Sequence, residues 1–291
     1  MVKDEVVARA IRAAHRAAKQ TGVTPGEPIV LYRSRRVILR FPAIRSVARV
    51  GPTDAKSLAG TTRELDVARH LAQRGAPVVG PSKFMGSKPF VDEGVAVTLW
   101  PYIEHRPWVE GDRDAAAQAA RALRQVHEIL ADYSGELPSY AERIEECGEL
   151  LRRRGALPAL ADEDVAFLLH TFERLIQSLA TFDIPLSPIH GDAYLGNVFF
   201  TPEGPLWTDF EAACLGPYEW DFVGVPYAGR FSAADLELCA VLADLRSLCV
   251  VVWCSALSER PEKRAAAAFQ LARLKGDADA SADDGRLASR S

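Results

Sequence analysis

Strand-like and helix-like segments are segregated along this chain of 291 residues, and that constrains its fold more than any other feature. Three β-branched runs with short connections, Ile29–Arg33, Val37–Phe41 and Ser46–Val50, read as an antiparallel meander. Two further strand candidates are Lys83–Met85 and Val95–Leu99. Between the two groups, Asp54–Arg74 has Leu58, Leu65, Ala68 and Leu71 at helical spacing and stops at Gly75. From Asp112 onward the pattern is helical, over 113–131, 139–153, 162–182, 218–228, 232–257 and 261–275, broken by one β-rich insert around 190–210. Strands followed by helices, rather than alternating with them, predict an α+β protein in two lobes. The expected division is an N-terminal helix over 1–24, a sheet lobe over 25–101, a helical lobe over 102–275 and a disordered Asp/Ala/Ser-rich tail over 276–291.

Composition removes several function classes. A net charge of −4 offers no basic footprint, so nucleic acid is not an expected partner. The longest apolar run, Leu248–Leu257, is broken by Ser255 and is read as too short to span a membrane. Asp4 and Glu5 stand where a secretory signal would need an apolar core, which points to the cytoplasm. Five cysteines without a Cys-x-x-Cys pair read as buried free thiols rather than a metal site. The chain holds a single asparagine, Asn197, so its position matters.

That asparagine closes the string His190-Gly-Asp-Ala-Tyr-Leu-Gly-Asn197, which is followed by Leu206-Trp-Thr-Asp-Phe-Glu211. Phosphoryl transfer needs a carboxylate to accept the hydroxyl proton, and a second carboxylate with an amide oxygen to hold magnesium against the phosphates. Asp192 and Asn197 supply the base and the amide on one loop, and Asp209 supplies the metal carboxylate. Val198–Phe200 and Leu206–Thr208 are apolar arms around Thr201-Pro-Glu-Gly204, and pairing them as a hairpin draws Asn197 toward Asp209.

With these residues the chain resembles the aminoglycoside phosphotransferase and choline kinase family, small-molecule kinases with a protein-kinase-like fold. The resemblance implies ATP or GTP and Mg2+ as cofactors. It makes Asp192 the base, Asn197 and Asp209 the metal ligands and His190 a structural member of the loop. Gly216-Pro-Tyr-Glu-Trp-Asp221 matches the segment after the metal aspartate, where Asp221 would brace the catalytic loop. On the third strand, Arg49 stands where a basic residue should touch the phosphates, with Val47 on the same face over the adenine. Arg49 could equally be a solvated strand arginine. Glu64 on the next helix is its natural ion-pair partner, or else a surface glutamate. Ser34-Arg-Arg36 occupies the place of a phosphate-covering loop without any glycine. Trp100 and Tyr102 lie where the lobes join and backbone groups would bind the base, or else they form an aromatic core element.

Gly191 rather than arginine precedes Asp192, and only six residues separate Asp209 from Gly216, which leaves no room for a peptide-docking segment. The expected acceptor is therefore a small hydroxylated molecule. Glu104, Glu110, Asp112, Glu142, Glu145, Glu146, Glu211 and Glu219 would suit a cationic one, with Trp220 or Tyr218 for a cation–π contact. The same glutamates also read as solvated helix faces. A nucleotide-binding module without transfer activity, and a metal-dependent hydrolase using His190, Asp192 and Asp209, are the rival readings.

Overall fold

The computed structural model describes residues 2–34, 36–228, 235–257 and 260–276, with side chains from residue 5 onward. Arg35, the tail expected to be disordered from 277 onward, and the start of the helix expected over 232–257 lie outside the described residues.

Five strands form one antiparallel sheet in the order β1-β2-β3-β5-β4: β1 Ile29–Arg33, β2 Val37–Phe41, β3 Ser46–Pro52, β4 Phe90–Asp92 and β5 Val95–Pro101. Strand alternation sorts the side chains. Val37, Leu39, Phe41, Ala48, Val50, Val97 and Leu99 face α1 (Val2–Gln20), whose Ala10, Ala13, Ala14 and Ala17 let the helix lie close. Val47 and Arg49 face the other way, toward the cleft.

The strand expected at Lys83–Met85 is instead a turn, closed by Met85 N–H on the Ser82 carbonyl at 2.8 Å. The fifth strand is Phe90–Asp92, which pairs with β5 across Glu93-Gly94, both at positive φ (48° and 74°). A three-residue strand carries too little periodicity to show, although the acidic-Gly turn was visible.

Helix α2 (Ala55–Gln73) is capped by Asp54, whose carboxylate accepts from Ser57 N at 3.0 Å. It buries Glu64, Leu65, Val67, Ala68 and Leu71. The helical part comprises α3 Arg113–Leu130, α4 Tyr140–Arg152, α5 Asp162–Leu179, α6 Tyr218–Phe222, α7 Leu236–Ala256 and α8 Pro261–Lys275. The helix expected over 218–228 thus ends at Phe222. Two small ribbons carry the insert, β6 Ser187–Ile189 with β9 Cys214–Gly216, and β7 Val198–Thr201 with β8 Gly204–Trp207.

One apolar cluster joins α2 and α3 to the β7–β8 ribbon through Leu71, Leu123, Val126, Phe200, Trp207 and Phe210. A second packs α4, α5 and α8 around α7. Among the described residues α7 is long and apolar enough to cross a membrane, which corrects the estimate made from Leu248–Leu257 alone. Here Leu242, Leu245, Leu248, Cys249, Val251 and Val252 are instead fully buried in that second core.

Candidate active site

The loop from His190 to Asn197 leaves β6 and enters β7. Gly191 makes its first bend at φ +79°, and a Cβ there would sit 2.1 Å from the Ala212 carbonyl oxygen. Glycine is required twice over at this position, for conformation and for space. His190 is fully buried, tilted against Phe210 at 4.5 Å and edge-on to Trp207 at 5.3 Å. One ring nitrogen lies 3.0 Å from the Thr208 carbonyl, and the other accepts from Asp192 N at 3.3 Å.

Asp221 anchors this bend. Its carboxylate accepts from His190 N at 2.8 Å and Gly191 N at 2.9 Å, and meets His127 Nε2 of α3 at 2.8 Å. Burial alone would raise its pKa. The His127 hydrogen bond, with the charges of His127, His190 and Arg246, more than offsets it and holds the carboxyl below its ordinary range.

Beyond the bend, the Asp192 side chain is 39% exposed, open to a second molecule. Asn197 spends its amide nitrogen on the Asp192 carbonyl at 2.9 Å, which leaves the amide oxygen as its remaining acceptor. The ribbon then performs the convergence its spacing implied: Val198 pairs with Trp207, and Thr208 N donates to the Asn197 carbonyl at 3.0 Å. Asp209 follows at φ 68°, ψ 56°, a left-handed conformation unusual for a residue with a side chain. Its Oδ1 is buried without a hydrogen-bond partner among the described residues. Burial, then the charges of Asp192 and Asp209, push the Tyr194 hydroxyl up. An orphaned buried carboxylate oxygen beside a free amide oxygen is a donor set that suits a hard divalent cation. The residues present therefore fit magnesium.

Above them, Arg49 reaches from β3 to ion-pair with Glu64 of α2, and its other guanidinium nitrogen donates to Thr208 Oγ1 at 3.1 Å, next to Asp209. Burial works against the Arg49 charge, and the carboxylates of Glu64 and Asp209 outweigh it. Glu64 is pushed up to about 7, burial and the neighbouring Asp209 and Glu211 charges overcoming the pull of Arg49. Neither the solvated arginine nor the surface glutamate describes this buried pair.

A sequence model of the phosphotransferase enzyme family matches residues 29–278. The chain belongs to that family. Solved structures with the same fold include a choline/ethanolamine kinase family protein from Mesorhizobium loti, 17% identical, with TM-score 0.61 over 92% of this chain and 97% of that one. The GDP and kanamycin complex of APH(2")-IIia is 14% identical, with TM-score 0.66 over 94% and 98% of the two chains. Amicoumacin kinase hAmiN, in complex with AMP-PNP, Ca2+ and Ami, is 14% identical, with TM-score 0.64 over 87% and 89%.

Within this phosphotransferase, other anticipated residues sit differently. The Trp220 ring is buried and its Nε1 donates to the Gly191 carbonyl at 3.1 Å, so it supports the loop and cannot face an acceptor. Trp100 is a core residue, bonded to Thr98 Oγ1 at 2.8 Å and lying under the Arg49 guanidinium at 5.0 Å. Tyr102 N–H is spent on the Arg45 carbonyl at 2.8 Å, and its ring lies 3.7 Å from the Arg40 guanidinium carbon. Alternation along the strand turns the flanking Pro101 carbonyl away from β3. Glu211 pairs with Arg36, and Glu219 Oε1 accepts from Asp235 N at 3.4 Å. Of the supposed cation wall, Glu142 belongs to the capping box of α4, Glu145 pairs with Arg152, Glu146 with Lys56, and Asp112 caps α3.

Sequence reasoning missed Arg246 and His127. Arg246 reaches out of α7 to the Ala193 carbonyl at 2.9 Å and Asp192 Oδ1 at 3.3 Å, passing over Gly224, where a Cβ would lie 2.9 Å from its guanidinium carbon. The one available signal was a charged pair, Asp244 and Arg246, inside an otherwise apolar stretch. His127 carried no signal beyond a histidine on the buried face of α3.

Proposed function

We propose that the protein transfers the terminal phosphoryl group of ATP or GTP to a hydroxyl of a small molecule. The observation that carries this reading is the orphaned, buried Oδ1 of Asp209, set beside Asn197 and near the open carboxylate of Asp192. Asn197 and Asp209 are the residues that would hold magnesium, which when bound supplies charge neutralisation at the phosphate oxygens. Asp192 orients the acceptor hydroxyl and takes its proton as the new ester bond forms. Arg246, itself held by the Ala193 carbonyl, fixes that carboxylate by one oxygen, leaving the other for the hydroxyl. Arg49, steadied by Glu64 and Thr208, steadies the phosphates from above. Val47 lies on the cleft face of β3, where it would cover the base. The Pro101 carbonyl, rather than the engaged Tyr102 N–H, is the backbone group that the base would pair with. His190 stays structural, because both its ring nitrogens are engaged within the loop. The same engagement weighs against a metal-ligating histidine and hence against the hydrolase reading.

The acceptor falls in the class of small alcohols that includes amino alcohols, sugars and aminoglycosides, since only six residues separate Asp209 from Gly216, too few for a docking segment, and α7 reaches the Asp192 carboxylate through Arg246. The intramolecular partners of Glu142, Glu145 and Glu146 remove the main argument for a cationic one. Turnover of ATP and GTP with magnesium across those three acceptor groups tests the proposal, with Asp192→Asn as control. The expected result is nucleotide-dependent phosphorylation that falls about 100-fold or more in kcat in the variant, with nucleotide binding retained. Binding without turnover on any acceptor would instead favour a nucleotide-binding module.

A further inference from the structure

Arg36 is a cation of the cleft whose role the preceding assignments leave open. It ends the glycine-free turn before β2, and its stem runs across Gly51 of β3, where a Cβ would lie 3.4 Å from Arg36 Cγ. Beyond Gly51 its guanidinium spans the cleft to the Glu211 carboxylate, two residues after Asp209. Burial opposes the Arg36 charge, and Glu211, Asp209 and Glu64 together hold it. The guanidinium therefore sits above the place where the proposed cation and phosphates belong.

The two partners are anchored unequally. Glu211 is fixed from behind, since its carbonyl accepts from Arg63 Nη1 at 2.6 Å and a Cβ on Gly60 of α2 would come within 3.7 Å of that same oxygen. Arg36 hangs from a surface turn, and the two side chains are 28% and 38% exposed. Arg49, in contrast, is committed to Glu64 and Thr208 and has no such freedom.

We propose that Arg36 is a ligand for the phosphates of a nucleoside triphosphate, and that Glu211 is its resting partner, exchanged for them on binding. A guanidinium matches a phosphate's paired oxygens as well as it matches a carboxylate, and a polyphosphate carries more charge than one glutamate. The exchange lets a turn without glycine cover the phosphates through a side chain rather than through backbone N–H groups. It also frees the Glu211 carboxylate beside Asp209 only once nucleotide is present. The inference rests on the proposed function, because it needs the cleft to take a nucleotide.

Titration calorimetry tests it without knowledge of the acceptor. ATP and GTP with magnesium are titrated into wild type, Arg36→Gln, Glu211→Gln and the double variant, with adenosine and guanosine as phosphate-free probes. Arg36→Gln is expected to weaken triphosphate binding about tenfold and to leave nucleoside binding alone. Glu211→Gln, by removing the competitor, is expected to tighten triphosphate binding about threefold, and this gain should vanish in the Arg36→Gln background. Arg36→Lys, with charge but no planar fork, should fall between. A gain from Glu211→Gln that persists without Arg36 would be a plain field effect and would overturn the exchange, as would an Arg36→Gln protein binding triphosphate like wild type. Wild type that binds neither ATP nor GTP would remove the proposed function and this inference together, whereas unaltered binding in the variants removes only the inference.

Discussion

The two halves of the candidate site are held by different physics. Below the cleft, the His190–Gly191 bend is fastened by short hydrogen bonds to the wholly buried Asp221, by a glycine with no room for a side chain, and by rings packed on His190. Across the cleft, the sheet lobe is held to the helical lobe at α2 by the buried apolar cluster and by Val79 N on the Trp207 carbonyl at 2.8 Å, whereas Arg36 and Lys56 reach over only through side-chain pairs with solvent access, Arg36–Glu211 and Lys56–Glu146. Buried, fully satisfied polar groups lose much when one partner is removed, whereas exposed pairs contribute little. The candidate loop thus stands on a buried floor, and the Arg36 turn above it is attached by contacts that break easily.

The sharpest way to break that contrast is at Gly191. Gly191→Ala puts a methyl group 2.1 Å from the Ala212 carbonyl in a left-handed conformation, so expression of folded protein should be lost or the thermal transition lowered severely. Asp221→Asn should come next. It removes the charge that three donors converge on, at a cost of about 3 kcal/mol by denaturant titration. Its pH dependence has a definite sign. The folded-state pKa of Asp221 lies below the ordinary 3.8, so its contribution is complete above that value and is lost as pH falls through the depressed one. Wild type and Asp221→Asn should therefore converge in stability only in acid below about pH 4. At the other extreme, Lys56 is 77% exposed, and Lys56→Ala should leave the unfolding midpoint unchanged within error despite losing its ion pair with Glu146. A large effect there would mean that this exposed pair contributes more than its solvent access allows.

The floor was largely legible in the sequence and the roof was not. His190, Asp192, Asn197, Asp209 and Asp221 lie within one stretch, and spacing plus a turn signal suffices to bring such residues together. Local spacing says nothing about Arg246 or His127, which reach the same loop from helices far along the chain; only tertiary packing delivers them. The Arg49–Glu64 pair could be anticipated from strand and helix periodicity, because both faces follow from their elements. Arg36 could not, since its direction depends on a channel over Gly51 that only the assembled sheet creates. Trp220 misled for a related reason. Its aromatic character suggested ligand contact, yet the same property makes it a wedge beneath the loop, with its one donor satisfied by Gly191.

The backbone of Asp209 has a consequence for how this enzyme can vary. A glycine would sit at ease in its left-handed turn and would relieve on the order of 1 kcal/mol of strain. Drift toward a sturdier fold therefore pulls this position away from the acid proposed to ligate the cation. Any lineage keeping the aspartate accepts a slightly weaker protein for a working one, and a lineage released from catalysis should surrender it early.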